Sequence, residues 1–142
     1  MKILAVDYGA SRTGLAVCDP TEFLTTPITP QITLKARNKV AARVCEVAKE
    51  IGAELIVIGL PLNMDGTEGP RAEKCAAFGE LLRQETGLEV ILWDERRTTI
   101  DAHNILFQNG QNAKKRKKTV DAVAAALMLE GYLTRRRLEA QK

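Results

Sequence analysis

Short apolar runs alternate along the chain with longer stretches in which apolar residues recur every three or four positions. Residues 2–7 (KILAVD) and 14–18 (GLAVC) are apolar runs joined by a polar, glycine-containing segment. Two strands joined that tightly predict a hairpin. A third strand is expected within 22–28 (EFLTTPI), ended by Pro27 and Pro30, because proline donates nothing to a strand ladder. Residues 35–51 place Val40, Val44, Val47, Ala48 and Ile51 at helical spacing, with Gly52 as the stop. ELIVIG (54–59) is apolar throughout, which predicts a strand covered on both faces. PLNMDGTEGP (61–70) is a proline-bracketed loop with a DG turn inside it. A helix over 71–86 would turn Cys75, Phe78, Leu81 and Leu82 inward, and LEVILW (88–93) is a further strand. Residues 98–108 read as a helix stopped near Asn109-Gly110. Residues 114–118 (KKRKK) read as a basic loop, and Thr119 as the N-cap of a last helix over 120–136.

The order β-β-β-α-β-α-β-α-α predicts an α/β fold. An antiparallel opening followed by alternating helices and strands gives a mixed five-stranded sheet with helices on its faces. At 142 residues the chain has the length of one domain with a real core, taken here as residues 1–142. No apolar run approaches the roughly 18 residues of a membrane helix. The first residues enter a strand pattern directly, without the features of a signal peptide. A soluble, cytoplasmic protein is expected.

Cys18, Cys45 and Cys75 are three in number with no CxxC pair, as expected of small buried residues in a reducing compartment. With a single histidine they furnish no zinc site, so any metal must be a hard ion held by oxygen. Net charge is +3, but its distribution matters more: KKRKK at 114–118 would attract a polyanion. RRR at 135–137 reads as a solvated, frayed tail.

The crevice of an open α/β sheet lies at the carboxyl ends of its parallel strands. Asp7 ends the first strand, Asp94 and Glu95 follow strand 88–93, Asp65 lies in the loop after strand 54–59, and Asp121 falls in the first turn of the last helix. Each has a purely structural explanation: Asp7 as a turn former, Asp94-Glu95 in ion pairs with Arg96-Arg97, Asp121 at a helix dipole for about 0.3–1 kcal/mol. As a group they repel one another unless a cation offsets the charge, and Mg²⁺ suits carboxylate and water ligands. The chemistry that wants this arrangement is phosphodiester hydrolysis, with two metals about 4 Å apart activating water and stabilising the leaving oxygen. There is no GxSxG and no Walker A sequence. KKRKK would hang beside the site and hold a nucleic-acid backbone without reading its bases. The same DxG hairpin also opens the actin-like sugar kinases and chaperone ATPases, but their nucleotide cleft needs two such domains.

The segments VDYGASRTGLAVCD, IVIGLPLNMDGTEGP, WDERRTT and KKTVDAVAAALMLEGYL together resemble the YqgF/RuvX family over nearly the whole chain. The resemblance implies a ribonuclease H-like fold and a bacterial, cytoplasmic pre-16S rRNA nuclease related to Holliday junction resolvases. By position it implies Asp7, Glu95 and Asp121 as catalytic metal ligands for Mg²⁺ or Mn²⁺, with Asp94 as the substitute for Glu95. Strand 54–59 ends without an acid, so the DER segment must supply the second carboxylate. Arg12 matches the basic residue of the family's turn, although Ala10-Ser11 replaces the commoner small-Lys pair. Arg12, Lys114, Lys115, Arg116, Lys117 and Lys118 would hold phosphates, and Asn63, Asp65 and Gly66 form a loop that closes over substrate or supports the ligands. His103 is expected in packing or solvent, and Trp93 beneath the site. Implied partners are precursor rRNA or junction DNA and the ribosome, with no membrane. Cutting a four-way junction requires a homodimer, whereas ribosome association suits a monomer. A non-catalytic RNA-binding assembly factor is the third reading, and it predicts that Asp7→Asn leaves function intact.

Overall fold

A computed structural model of the protein describes residues 1–94 and 113–140, with the side chains of 1–94 and 123–140. The helix expected over 98–108, together with Glu95 and His103, lies outside the described residues. Five strands form one sheet: β1 (Ile3–Tyr8), β2 (Thr13–Cys18), β3 (Thr25–Ile32), β4 (Leu55–Leu60) and β5 (Glu89–Asp94), in the order β3-β2-β1-β4-β5. The described helices are α1 (Arg37–Ile51), α2 (Pro70–Thr86) and α3 (Ala113–Ala140). β1 pairs antiparallel with β2, and β2 with β3, while β1–β4 and β4–β5 are parallel. The mixed sheet expected from the sequence is therefore present.

The central position of β1 and β4 explains their apolar runs. Alternate side chains leave opposite faces of a strand, and both faces are covered. Leu4, Val6, Ile56 and Ile58 pack with α1 and α2, in a core closed by Val44, Phe78 and Leu82. Ile3, Ala5, Leu55 and Val57 pack with Ala125, Met128, Leu129 and Leu133 of α3. Gly79 lets α2 lie close to the sheet: a Cβ there would sit 3.3 Å from Ile58 Cδ1 and from Leu92 Cδ2. α1 stops as expected, at Gly52 with φ 70°, whose N–H reaches the carbonyls of Ala48 and Lys49.

Three expectations need correction. β3 does not end at Pro27 but runs through both prolines to Ile32, with its register against β2 shifting between Thr13 and Leu15. It is an edge strand, and an edge tolerates the missing N–H of proline. Lys114–Lys118 is not a loop, and Thr119 is no cap: both lie inside α3, and Asp121 comes eight residues after Ala113 rather than in the first turn. Lysine, arginine and alanine are good helix formers, and no glycine or proline interrupts 113–130. Finally, 135–137 is helical and anchored. Arg136 Nε donates to Glu22 Oε1 at 2.7 Å, and Arg137 Nη1 donates to the Glu22 carbonyl at 3.0 Å. The Arg137 guanidinium also lies over the Phe23 ring, 5.3 Å from its centroid.

Candidate active site

Asp7 sits one residue from the end of the central strand. It is two residues beyond Ala5, hence on the face that α3 covers, and it is half-buried. Its neighbours in the sheet are set by register. Gly14 of β2 lies directly opposite Asp7. On the other side the β1–β4 ladder pairs Val6 with Ile58, so Gly59 is the next residue along, and Gly59 in turn pairs with Trp93 of β5. Residues across a ladder share a face. The row at the carboxyl edge under α3 therefore reads Gly14, Asp7, Gly59, Trp93. A carboxylate flanked on both strands by glycine has no neighbouring side chain in its row to crowd it. Trp93 closes the row and meets Tyr132 of α3 edge-to-face, with ring centroids 5.6 Å apart. Burial pushes the Tyr132 hydroxyl above its ordinary pKa.

Arg12 lies exposed in the turn between β1 and β2. The turn owes its tightness to Gly9, where a Cβ would overlap the carbonyl oxygen of Arg12. Asp94 is exposed and alternates to the α2 face with Val90 and Leu92, opposite to Asp7. Glu95 lies outside the described residues, and the side chains of Lys114, Lys115, Arg116, Lys117, Lys118 and Asp121 are not among those described.

Several hydrogen bonds run within the loop after β4. Asn63 N–H donates to the Thr67 carbonyl at 2.9 Å, Gly66 N–H to the Asn63 carbonyl at 2.8 Å, and Asn63 Nδ2 to Thr67 Oγ1 at 3.0 Å. Asp65 Oδ1 accepts from the Thr67 amide at 3.0 Å and from its hydroxyl at 2.6 Å. Gly66 has φ 88°, the left-handed conformation that favours glycine. Asn63, Asp65 and Gly66 thus build a turn around Thr67, a residue the sequence reading passed over. Its signal was there, since a Thr two residues after an Asp suits an Asx turn.

Among the described residues, no three His, Cys, Asp or Glu side chains group closely enough to hold a metal ion. What the described part offers is one half-buried hard-oxygen donor flanked in its row by two glycines, and a carboxylate suits a magnesium-like cation rather than a thiophilic one. Cys18 and Cys75 are buried and Cys45 is half-buried, and none of the three is in a disulfide. Burial, reinforced by Glu85, pushes the Cys45 thiol up to about 11. No helix among the described residues is long and apolar enough to cross a membrane.

Comparison with known proteins follows the same outline. A family model described as RuvX, Holliday junction resolvase, matches residues 1–135. A Clostridium beijerinckii protein named "Putative pre-16S rRNA nuclease" is 42% identical over 135 residues, covering 94% of this chain and 96% of the relative. Among solved structures, T. thermophilus RuvC in complex with a Holliday junction substrate superposes with a TM-score of 0.63 at 16% identity, over 96% of each chain. The Fowlpox virus resolvase, also bound to Holliday junction DNA, gives 0.51 at 14% identity over 99% of each. At those identities the structures speak to the fold alone, a ribonuclease H-like one. Sequence and fold together make this chain a member of the RuvX family.

Proposed function

We propose that this chain is a divalent-metal-dependent, cytoplasmic nuclease that hydrolyses phosphodiester bonds in precursor 16S rRNA on the ribosome. The observation that carries the reading is the row Gly14, Asp7, Gly59, which sets a half-buried carboxylate between two residues without side chains at the carboxyl edge of the sheet. The names of the relatives supply the RNA.

Asp7, Glu95 and Asp121 would hold Mg²⁺ or Mn²⁺. Asp121 is consistent with this by length. Arg136 meets Glu22 and Met1 at the end of the sheet where β1 begins. Position 121 lies fifteen residues earlier on the same helix, about 22 Å back over the sheet. Asp7 lies six residues from Met1 along an extended strand, about 20 Å. The agreement of these two lengths supports the reading. When bound, the ions supply Lewis acidity to the phosphoryl oxygens and acidify water. Arg12 and the basic run Lys114, Lys115, Arg116, Lys117 and Lys118 pair with phosphates and set the strand's position, with no base readout. Asp94, on the opposite face, serves as a ligand less well than Glu95. The loop of Asn63, Asp65 and Gly66 braces this edge as a preformed turn.

The test uses purified protein and Asp7→Asn with labelled precursor rRNA and four-way-junction DNA, each with Mg²⁺ and with EDTA. Wild type cuts the rRNA only with metal, and Asp7→Asn loses about a hundredfold or more, as expected when several kcal/mol of charge stabilisation go. Cleavage of the junction alone, by a homodimer, replaces the RNA substrate with DNA. No cleavage of either substrate leaves a non-catalytic assembly factor.

A further inference from the structure

On the other face of the same sheet edge, a cavity of about 360 Å³ opens between the N-terminal ends of α1 and α2. Its floor includes Tyr8, whose ring stacks flat on Phe78 at 4.0 Å, and the buried Cys75, whose Sγ lies 3.9 Å from the Tyr8 carbonyl oxygen. Its walls carry Lys35, Arg37, Arg71 and Lys74, and among the described residues no acidic one lines it. Ion pairs elsewhere are common: Arg43 meets Glu46, Arg83 meets Glu80 and Arg136 meets Glu22. Among the described residues none of the four cavity cations takes part in one.

These charges stand where helix physics disfavours them. A helix N-terminus carries partial positive charge, and cations there are repelled. α1 begins at Arg37 with no side-chain hydrogen bond at its cap, Ala36, and no acid in its first turn. α2 begins with Pro70-Arg71, again with no side-chain cap, and Glu73 is its one early acid. Two helix ends and four cations therefore raise one positive field in a concave site. A bound anion would offset it. Two arginine forks beside two lysines match a phosphate, which accepts bidentate hydrogen bonds.

We propose that this cavity binds a phosphate group other than the one being cut. The proposal rests on the nuclease reading for its preferred source, a second phosphate of the substrate strand. Asp7 and Tyr8 are consecutive on β1 and face opposite sides, so a strand crossing the sheet edge at Ala10 reaches both sites. A free nucleotide carries the same group and is the other source.

The experiment reads binding rather than cleavage, in full-length protein carrying Asp7→Asn. Anisotropy of a labelled single-stranded oligoribonucleotide is followed against salt, with and without Arg71→Gln plus Lys74→Gln. The paired change is expected to weaken binding at least tenfold and to flatten the slope of log K against log salt by about 1.4, from two lost contacts at about 0.7 each on a single strand. Lys35→Gln, outside both helices, flattens it by about 0.7 should the α2 variant melt early. Arg43→Gln, exposed on α1, leaves both quantities unchanged. Adenosine monophosphate and inorganic phosphate are titrated in parallel. If they bind the parent and not the double variant while the oligonucleotide is unaffected, the phosphate comes from a free nucleotide. Variants that keep their melting temperature and bind all three probes as the parent does overturn the proposal. That result leaves cleavage by wild type untouched, and a failure of cleavage leaves the binding result standing.

Discussion

Gly9 shows how much a single side chain would disturb. Its missing Cβ is what lets the backbone of Arg12 fold back over the hairpin turn. Gly9→Ala forces that carbonyl aside, and a forced contact of this kind costs about 1–3 kcal/mol. Urea unfolding should record the loss, and Arg12 should be displaced from the Asp7 edge. Asp19, in the next turn, gives a pH signature. Its carboxylate accepts from the Thr21 hydroxyl and from the Leu24 and Phe23 amides, which lowers its pKa from 3.8 to about 2. Because the folded value is the lower one, these bonds contribute fully above about pH 4 and are lost as pH falls through about 2. NMR titration of the Asp19 carboxyl should give a midpoint near 2 in the wild type, moving up in Thr21→Ala. At this scale the sequence was informative about which residue types were available. It said little about their neighbours: Gly14 and Gly59 matter only because register sets them on either side of Asp7.

Among the elements, those covered on both faces were the most legible. β4 and α1 were expected within a residue or two of their ends, because burial leaves an unbroken apolar run or a helical stripe in the sequence. β3 and α3 were misread for opposite reasons. The prolines of β3 signalled an end, yet an edge position makes them harmless, and which strand is an edge is decided by the sheet. The charge of Lys114–Lys118 suggested a loop, although those residue types favour helix. α2 carries Phe78, the largest fully buried side chain among the described residues, stacked on Tyr8. Phe78→Ala should cost about 3–5 kcal/mol in chemical denaturation, since the site is closed on all sides and collapses poorly. The same variant should loosen the cavity floor beneath Lys74 and Cys75.

For the whole molecule, one sheet edge presents two chemistries on two faces: a carboxylate under α3 and a basic cavity between α1 and α2. Trp93 is the one tryptophan of the chain and shares the Asp7 row, two strands or about 10 Å away. Adding Mg²⁺ to metal-free protein should therefore shift tryptophan emission, EDTA should reverse the shift, and Asp7→Asn should abolish it. A Trp93 signal indifferent to metal in the wild type would place the ion elsewhere. The sequence by itself determined the elements with strong periodicity, the class of fold and the acid that ends β1, because burial and local propensity act on neighbours along the chain. Only the tertiary structure decided which strand is an edge, which glycines stand beside Asp7, and that Lys35, Arg37, Arg71 and Lys74 meet. Those facts depend on strand register and on where helices begin in space, and residues distant in the chain leave no local pattern when the fold brings them together.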